Sequence, residues 1–145
     1  MNRELCKLQT LAALFRRALE NEVEHNSKLG IRGNPIDSFP RGACGEASRL
    51  LATYLRDQGF GTFKYCWGRR GEKSHAWLKR GDLIVDITAD QFDDQESPII
   101  VSTNSEWHSS FTNLEESSAL FDSWEDPFRN KMNRFYRQVV HRMQS

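Results

Sequence analysis

Apolar residues recur at helical spacing from the start of the chain. Leu5, Leu8, Ala12, Phe15 and Leu19 fall three or four apart, which predicts an amphipathic helix over 3–25 with these five on its inner face. Arg16, Arg17 and Glu20 lie mostly off that stripe. The pattern covers too few turns for a coiled coil, so the expectation is a helix packed on a core. Gly30, Gly33, Pro35, Pro40 and Gly42 then break the periodicity, and 26–43 reads as loop. A second stripe, Ala47, Leu50, Leu51, Tyr54 and Leu55, predicts a helix over 44–57, with Gly59 just beyond it as a stop signal. The helix therefore starts at or next to Cys44.

The period then changes to two. Phe63, Tyr65 and Trp67 alternate within 62–67, which predicts a strand, and Gly68 to Lys73 reads as a charged turn. Short strands are expected over 74–79 and 82–88, joined by Arg80-Gly81, which makes an antiparallel meander. The segment 91–126 holds nine acidic side chains and no Lys or Arg. A further short strand is expected near 98–102, and the rest of the segment reads as loop. The last helix is predicted from Asp126 as N-cap and Pro127 as first helical residue to about Met143. Its stripe is Phe128, Met132, Phe135, Val139 and Met143. Its charges from Arg129 onward are all basic, which suits packing against the acidic segment or a solvated face.

Composition narrows the class. With 145 residues the chain suits one domain over 1–145. Its 9 Phe, 4 Trp and 3 Tyr argue for a packed core despite a mean hydropathy of -0.68. Twenty basic residues balance twenty acidic ones, which argues against a dedicated nucleic-acid binder. No apolar run approaches the roughly 18–20 residues that span a bilayer, so no membrane partner is expected. Arg3, Glu4 and Lys7 do not suit a secretory signal. The three cysteines, Cys6, Cys44 and Cys66, have neither the even count nor the CxxC spacing of a disulfide or zinc framework. A reducing cytoplasm is therefore expected, with no metal and no other cofactor. Asp90, Asp93, Asp94 and Glu96 lack the ordered spacing of a calcium loop. Trp107-His108 reads as a surface or rim feature, and His25 and His141 as solvated residues near helix ends.

The chemistry concentrates on three residues. Gly42-Ala43-Cys44-Gly45 places a thiol where unpaired backbone N–H groups and the helix dipole favour an anion. The flanking glycines would leave room for a substrate backbone. Cys6 and Cys66 read as small buried hydrophobes. If Arg80-Gly81 is a two-residue hairpin loop, Trp77 faces Ile84 and His75 faces Asp86, with Cβ atoms about 4.5–5.5 Å apart. Trp77 and Ile84 would then lie beside the His–Asp pair, shield it and line the cleft, and Ala76, Leu78, Leu83 and Val85 would form an apolar face suited to a helix. Cys44 as nucleophile, His75 as base and Asp86 as orienting group form a coherent thiol site, with the Cys44 backbone N–H as an oxyanion donor.

At these residues the chain resembles the transglutaminase-like superfamily, a branch of the papain-like cysteine fold. The resemblance rests on Gly42-Ala43-Cys44-Gly45, on Ser74-His75-Ala76-Trp77-Leu78 and on Val85-Asp86-Ile87-Thr88, in that order, within about residues 38–92. Asp86 to Phe92 also resembles small bacterial proteins of this kind. The resemblance implies an α+β fold in which a cysteine-bearing helix packs on an antiparallel sheet flanked by N- and C-terminal helices. It implies attack on a peptide, isopeptide or glutamine amide through an acyl-enzyme, with Cys44, His75 and Asp86 as the triad. Hydrolysis of a peptide or protein substrate is the preferred outcome. Transglutamination or deamidation, and a weakly catalytic peptide-binding module, are the alternatives. The usual second oxyanion donor has no match: no Gln lies between Gln9 and Gln58, and the first tryptophan is Trp67. Asn34, Ser38, Arg41 and Gln91 stand as alternatives for it.

Overall fold

The computed structural model describes residues 2–32 and 44–144. Asn34, Ser38 and Arg41 lie outside the described residues, as does Gly42. Helix α1 spans Arg3–Lys28 and is capped by the Asn2 side chain, which accepts from the Glu4 backbone N–H at 2.7 Å. Helix α2 spans Cys44–Asp57, as its stripe predicts. Strands β1 (Lys64–Arg70), β2 (Lys73–Arg80), β3 (Leu83–Asp86) and β4 (Ile100–Ser102) are followed by β5 (Thr112–Ser118). A single 3-10 turn occupies Ala89–Gln91, a four-residue helix α3 occupies Glu106–Ser109, and helix α4 spans Phe128–Gln144. The class is α+β. One five-stranded antiparallel sheet in the order β4-β3-β2-β1-β5 carries the helices at its flanks. No helix among the described residues is long and apolar enough to cross a membrane.

The stripes become the core. Leu8, Phe15 and Leu19 of α1, Leu50, Leu51 and Leu55 of α2, and Phe135 and Val139 of α4 are buried against Phe63, which precedes β1, and against Leu78, Leu83 and Val85 of the sheet. Burying each of these large side chains contributes about 1.5–3 kcal/mol, which outweighs the weak intrinsic preference of any one segment. The opposite face carries a smaller cluster of Cys66, Trp77, Phe92 and Phe111, with Ile84 and Trp107 packed on it. The site lies on this second face, under the connection that follows β3.

Several sequence expectations are corrected. The β2–β3 pairing joins Leu78 to Val85, Lys79 to Ile84 and Arg80 to Leu83, so the hairpin loop is Gly81-Asp82 and not Arg80-Gly81. Gly81 sits at φ +63°, the conformation required of glycine at the first position of a type II′ turn. The register is thus two residues away from the expected one. A two-residue slip keeps every side chain on its face, because side chains alternate with period two. His75 and Asp86 therefore stay on one face, as do Trp77 and Ile84, while Leu78, Leu83 and Val85 meet the helices as expected. The turn between β1 and β2 is likewise only Gly71-Glu72, and Gly68 lies inside β1 opposite His75.

Strand β5 was expected as loop. All seven of its residues are exposed, so no apolar alternation announces it; backbone pairing to β1 alone makes it a strand. Helix α4 begins at Phe128, one residue after Pro127, and the Asp126–Pro127 peptide is cis. The Pro127 carbonyl accepts from the Lys131 N–H at 3.1 Å, so Pro127 precedes the helix as its cap, and Asp126 does not cap it. Phe128 is 65% exposed and drops out of the buried stripe. The helix packs on α1, where Arg142 Nε donates to Glu22 at 2.6 Å. Arg16, expected off the inner face of α1, is buried and grips Asp90 with two hydrogen bonds of 2.6 and 2.8 Å, donating a third to the Ile87 carbonyl. That clamp fixes the 3-10 turn bearing Gln91. Cys6 is exposed, contrary to expectation, and Cys66 is buried as expected.

Gly68 shows how closely β5 approaches. Asn113 (φ 55°) and Leu114 together face the single residue Gly68, a bulge in β5. A Cβ on Gly68 would stand 2.6 Å from Leu114 Cδ2 and 3.0 Å from the Thr112 carbonyl oxygen. Gly68→Ala is therefore expected to destabilise the fold by about 1–3 kcal/mol, read as a lowered urea midpoint at unchanged slope. An unchanged midpoint would show that β5 does not seat on β1 as described.

Candidate functional site

Asp86 ends β3, where the chain turns away from the sheet. Its carboxylate accepts from the Thr88 backbone N–H at 2.9 Å through Oδ1, a local turn common for aspartate. Oδ2 faces two imidazoles, His75 Nε2 and His108 Nε2, each at 2.7 Å. Residual exposure is 1% for Asp86, 1% for His75 and 2% for His108. An ionised carboxylate only accepts, so both facing nitrogens carry protons. Burial disfavours the charge on Asp86, but His75 and His108 outweigh it and hold the carboxyl well below its ordinary range. The expected His–Asp contact is thus present, made diagonally across the two strands.

His75 is the hub. Its Nε2 is committed to Asp86, which leaves Nδ1 for the other side, where Gln91 Nε2 stands at 3.0 Å. His75 also hydrogen-bonds the Cys44 thiol. Burial opposes the imidazolium, yet the Asp86 charge and hydrogen bond, with the Cys44 contribution, raise the His75 pKa to about 9. For Cys44, burial opposes the thiolate. The His75 hydrogen bond and charge, the Ala76 backbone N–H and the Gln91 side chain together prevail and lower its pKa. The Ala76 edge is open to Cys44 because pairing to β3 begins only at Leu78. Cys44 is half-buried at the first residue of α2, so its own N–H is one of those without an acceptor inside the helix.

The structure brings Cys44, His75, Asp86 and Gln91 together: hydrogen bonds join Gln91, His75 and Asp86, and the Cys44 thiol adjoins His75 and Gln91. Trp77 and Ile84 belong to the buried wall beside it: Trp77 packs at 5.7 Å from the His75 ring, and Ile84 packs on the same cluster. Trp77 is 2% exposed, so it shields the pair and does not line an open cleft. The space expected above Gly45 is filled, since the Tyr65 hydroxyl lies 3.0 Å from where a Cβ would stand. His25 and His141 are exposed, as expected.

His108 is the functional candidate that sequence reasoning placed wrongly. It is buried, and Trp107 beside it is half-buried, with its ring centroid 5.7 Å from that of His75. Ser105 caps α3, and its Oγ lies 2.6 Å from His108 Nδ1. The only sequence signal was a Ser three residues before a histidine in an otherwise acidic stretch, too short to show a period. His75, Asp86 and His108 place ligating atoms within 4.8 Å of one another, a set a transition metal would occupy only by displacing both ring protons. The 2.7 Å hydrogen bonds account for that geometry directly. Chemically, the arrangement sets a thiol that ionises more readily than usual beside an imidazole that holds its proton more tightly, with a side-chain amide next to both.

Comparisons of the chain with protein-family models, with curated proteins and with solved structures find no match.

The geometry predicts the pH dependence of thiol alkylation. In a Cys6→Ser background, Cys44 should react with iodoacetamide faster than Cys66, whose thiol is pushed up by burial. The rate should rise with Cys44 ionisation below the ordinary thiol value of about 8.5. A second inflection is expected near 9, where His75 loses its proton. His75→Gln should abolish that inflection and move the first to the ordinary value or above. A single inflection near 8.5 in the unsubstituted site would contradict the coupling of Cys44 to His75.

Proposed function

We propose that the chain is a cysteine-dependent hydrolase or acyl transferase that attacks an amide carbonyl, with hydrolysis as the preferred outcome. The observation that carries this reading is that one imidazole joins the thiol at the start of α2 to a buried, ionised carboxylate. A structural His–Asp pair does not account for a thiol of lowered pKa on the other side of the ring. The α+β arrangement, with the cysteine on a helix that packs against the antiparallel sheet, agrees with the transglutaminase-like resemblance drawn from the motifs.

In this mechanism the Cys44 thiolate adds to the carbonyl carbon, forming a C–S bond and moving the π electrons to oxygen. The Cys44 N–H and the Gln91 side-chain amide, which already hydrogen-bonds the thiol, are the donors for that oxyanion. His75 gives its Nδ1 proton to the amide nitrogen as the C–N bond breaks, leaving a thioester. Water then attacks, His75 takes its proton, and the acid and the free thiol are released. Asp86 keeps the ring in the tautomer both steps need. Transglutamination replaces that water with an amine, and deamidation is hydrolysis of a glutamine side chain, so the first half is common to all. Three free cysteines suit a reducing compartment, and the proposed setting is the cytoplasm with a peptide or protein substrate.

The test is an acyl-trap screen with peptide and glutamine-amide donors, followed by mass spectrometry of the Cys44 peptide. A covalent acyl adduct on Cys44 that is absent in Cys44→Ala, and is cleared by water or hydroxylamine, is the expected result. Absence of adduct and product across donors, with saturable peptide binding, would favour the binding module. Gln91→Ala should lower turnover by roughly 10²–10³. Asp86→Asn should cost on the order of 10⁴ through the wrong tautomer.

A further inference from the structure

We propose that His108, locked by Ser105, is a positioning residue that aims the Asp86 carboxylate at His75, so that the site is a five-member chain running Ser105–His108–Asp86–His75–Cys44. The proposal rests on the thiol chemistry above and extends it to residues outside the triad.

The argument starts from Asp86 Oδ2. A carboxylate hydrogen-bonded on one oxygen only is free to pivot about its Cβ–Cγ bond. Here Oδ1 is tied to the Thr88 N–H at 2.9 Å, and Oδ2 is held between two ring N–H groups at 2.7 Å each. Three donors on two oxygens leave one orientation. The second imidazole is itself fixed. Ser105 Oγ accepts the His108 backbone N–H at 3.3 Å as the cap of α3, so its own proton is available to His108 Nδ1 at 2.6 Å. That contact leaves the ring's remaining proton on Nε2, where Asp86 receives it. Helix α3 is only four residues long, and holding this ring is its structural consequence.

Packing makes the arrangement rigid. The His108 ring meets Trp77 at 4.8 Å and Trp107 at 4.9 Å, and Trp107 continues onto His75. The charged groups nearest this cluster, apart from Asp86, His75 and Cys44, lie on its outer side. Arg70 sits over the rings of Phe92, Trp107 and Phe111, Lys73 lies over Phe92, and Asp94 binds Arg70 and the Trp107 N–H. These outer charges meet the aromatic rings, whereas Asp86 Oδ2 is the group that His108 Nε2 meets inside the cluster.

The test compares His108→Phe, His108→Asn and Ser105→Ala in the Cys6→Ser protein, with circular dichroism to confirm the fold. In His108→Phe the acid limb of Cys44 alkylation should rise by about one pH unit, which lowers the rate along that limb about tenfold. His108→Asn, which restores an N–H donor, should recover part of the rate. Ser105→Ala, which leaves the buried cluster in place, should shift the limb in the same direction by less. Downfield proton NMR supplies a readout independent of the thiol: two protected ring N–H signals are expected in the parent, and both should be lost in His108→Phe. Retention of the His75 signal with an unshifted alkylation profile in His108→Phe or Ser105→Ala would overturn the proposal and leave His108 a packing residue. If the parent itself alkylates with an ordinary profile, the thiol reading fails first and takes this one with it, even where the NMR signals behave as expected.

Discussion

A carboxylate removed from water must be compensated at once, and Asp86 imposes that constraint on this fold. An uncompensated buried charge costs several kcal/mol, a large fraction of the stability of a domain this size. The compensation comes from three places in the chain: the imidazole of β2, the backbone immediately after β3, and the imidazole of α3. The route of the chain between β3 and β5 follows from delivering those donors. The aromatic cluster of Trp77, Phe92, Trp107 and Phe111 then excludes water from the result. Low local polarity strengthens each of these hydrogen bonds, and for the same reason makes each one costly to lose.

The thiol reaches this cluster from the other layer. Helix α2 packs on the face that holds the main core, yet its first residue meets His75 because β3 pairs with β2 only as far as Leu78 and leaves the Ala76 edge open. The site on the second face is therefore open to α2 through a gap between β2 and β3. The 3-10 turn crossing that gap carries Gln91, and Arg16 anchors the turn from α1 through Asp90. A helix at the start of the chain thus fixes a side chain beside the sulfur, which links core packing to the geometry of the reactive group.

Helical stripes were readable because α1, α2 and α4 each bury one continuous face, and that is what period 3.6 records. Their ends were less so: Pro127 looked like a first helical residue, and the helix starts one residue later. The His75–Asp86 contact was readable even though the hairpin register was two residues out, since side-chain alternation survives an even slip. The Gly81-Asp82 pair carried the turn signal that Arg80-Gly81 lacked. Strand β5 was unreadable because its side chains face solvent throughout and only its backbone is paired. Arg16 was misread because an ion pair 74 positions away, and not hydropathy, brings it inside.

From the sequence alone come the amphipathic helices, the faces of the meander, and the three residue types of a thiol site in workable order. Local patterns specify these because each depends on neighbours within a few positions. Tertiary structure alone decided that His108 stands behind Asp86, that Gln91 stands beside Cys44, and that the Ala76 edge is open. Those contacts join residues 22, 47 and 32 positions apart, and nothing in the local spacing encodes a distance closed only when separate elements pack together.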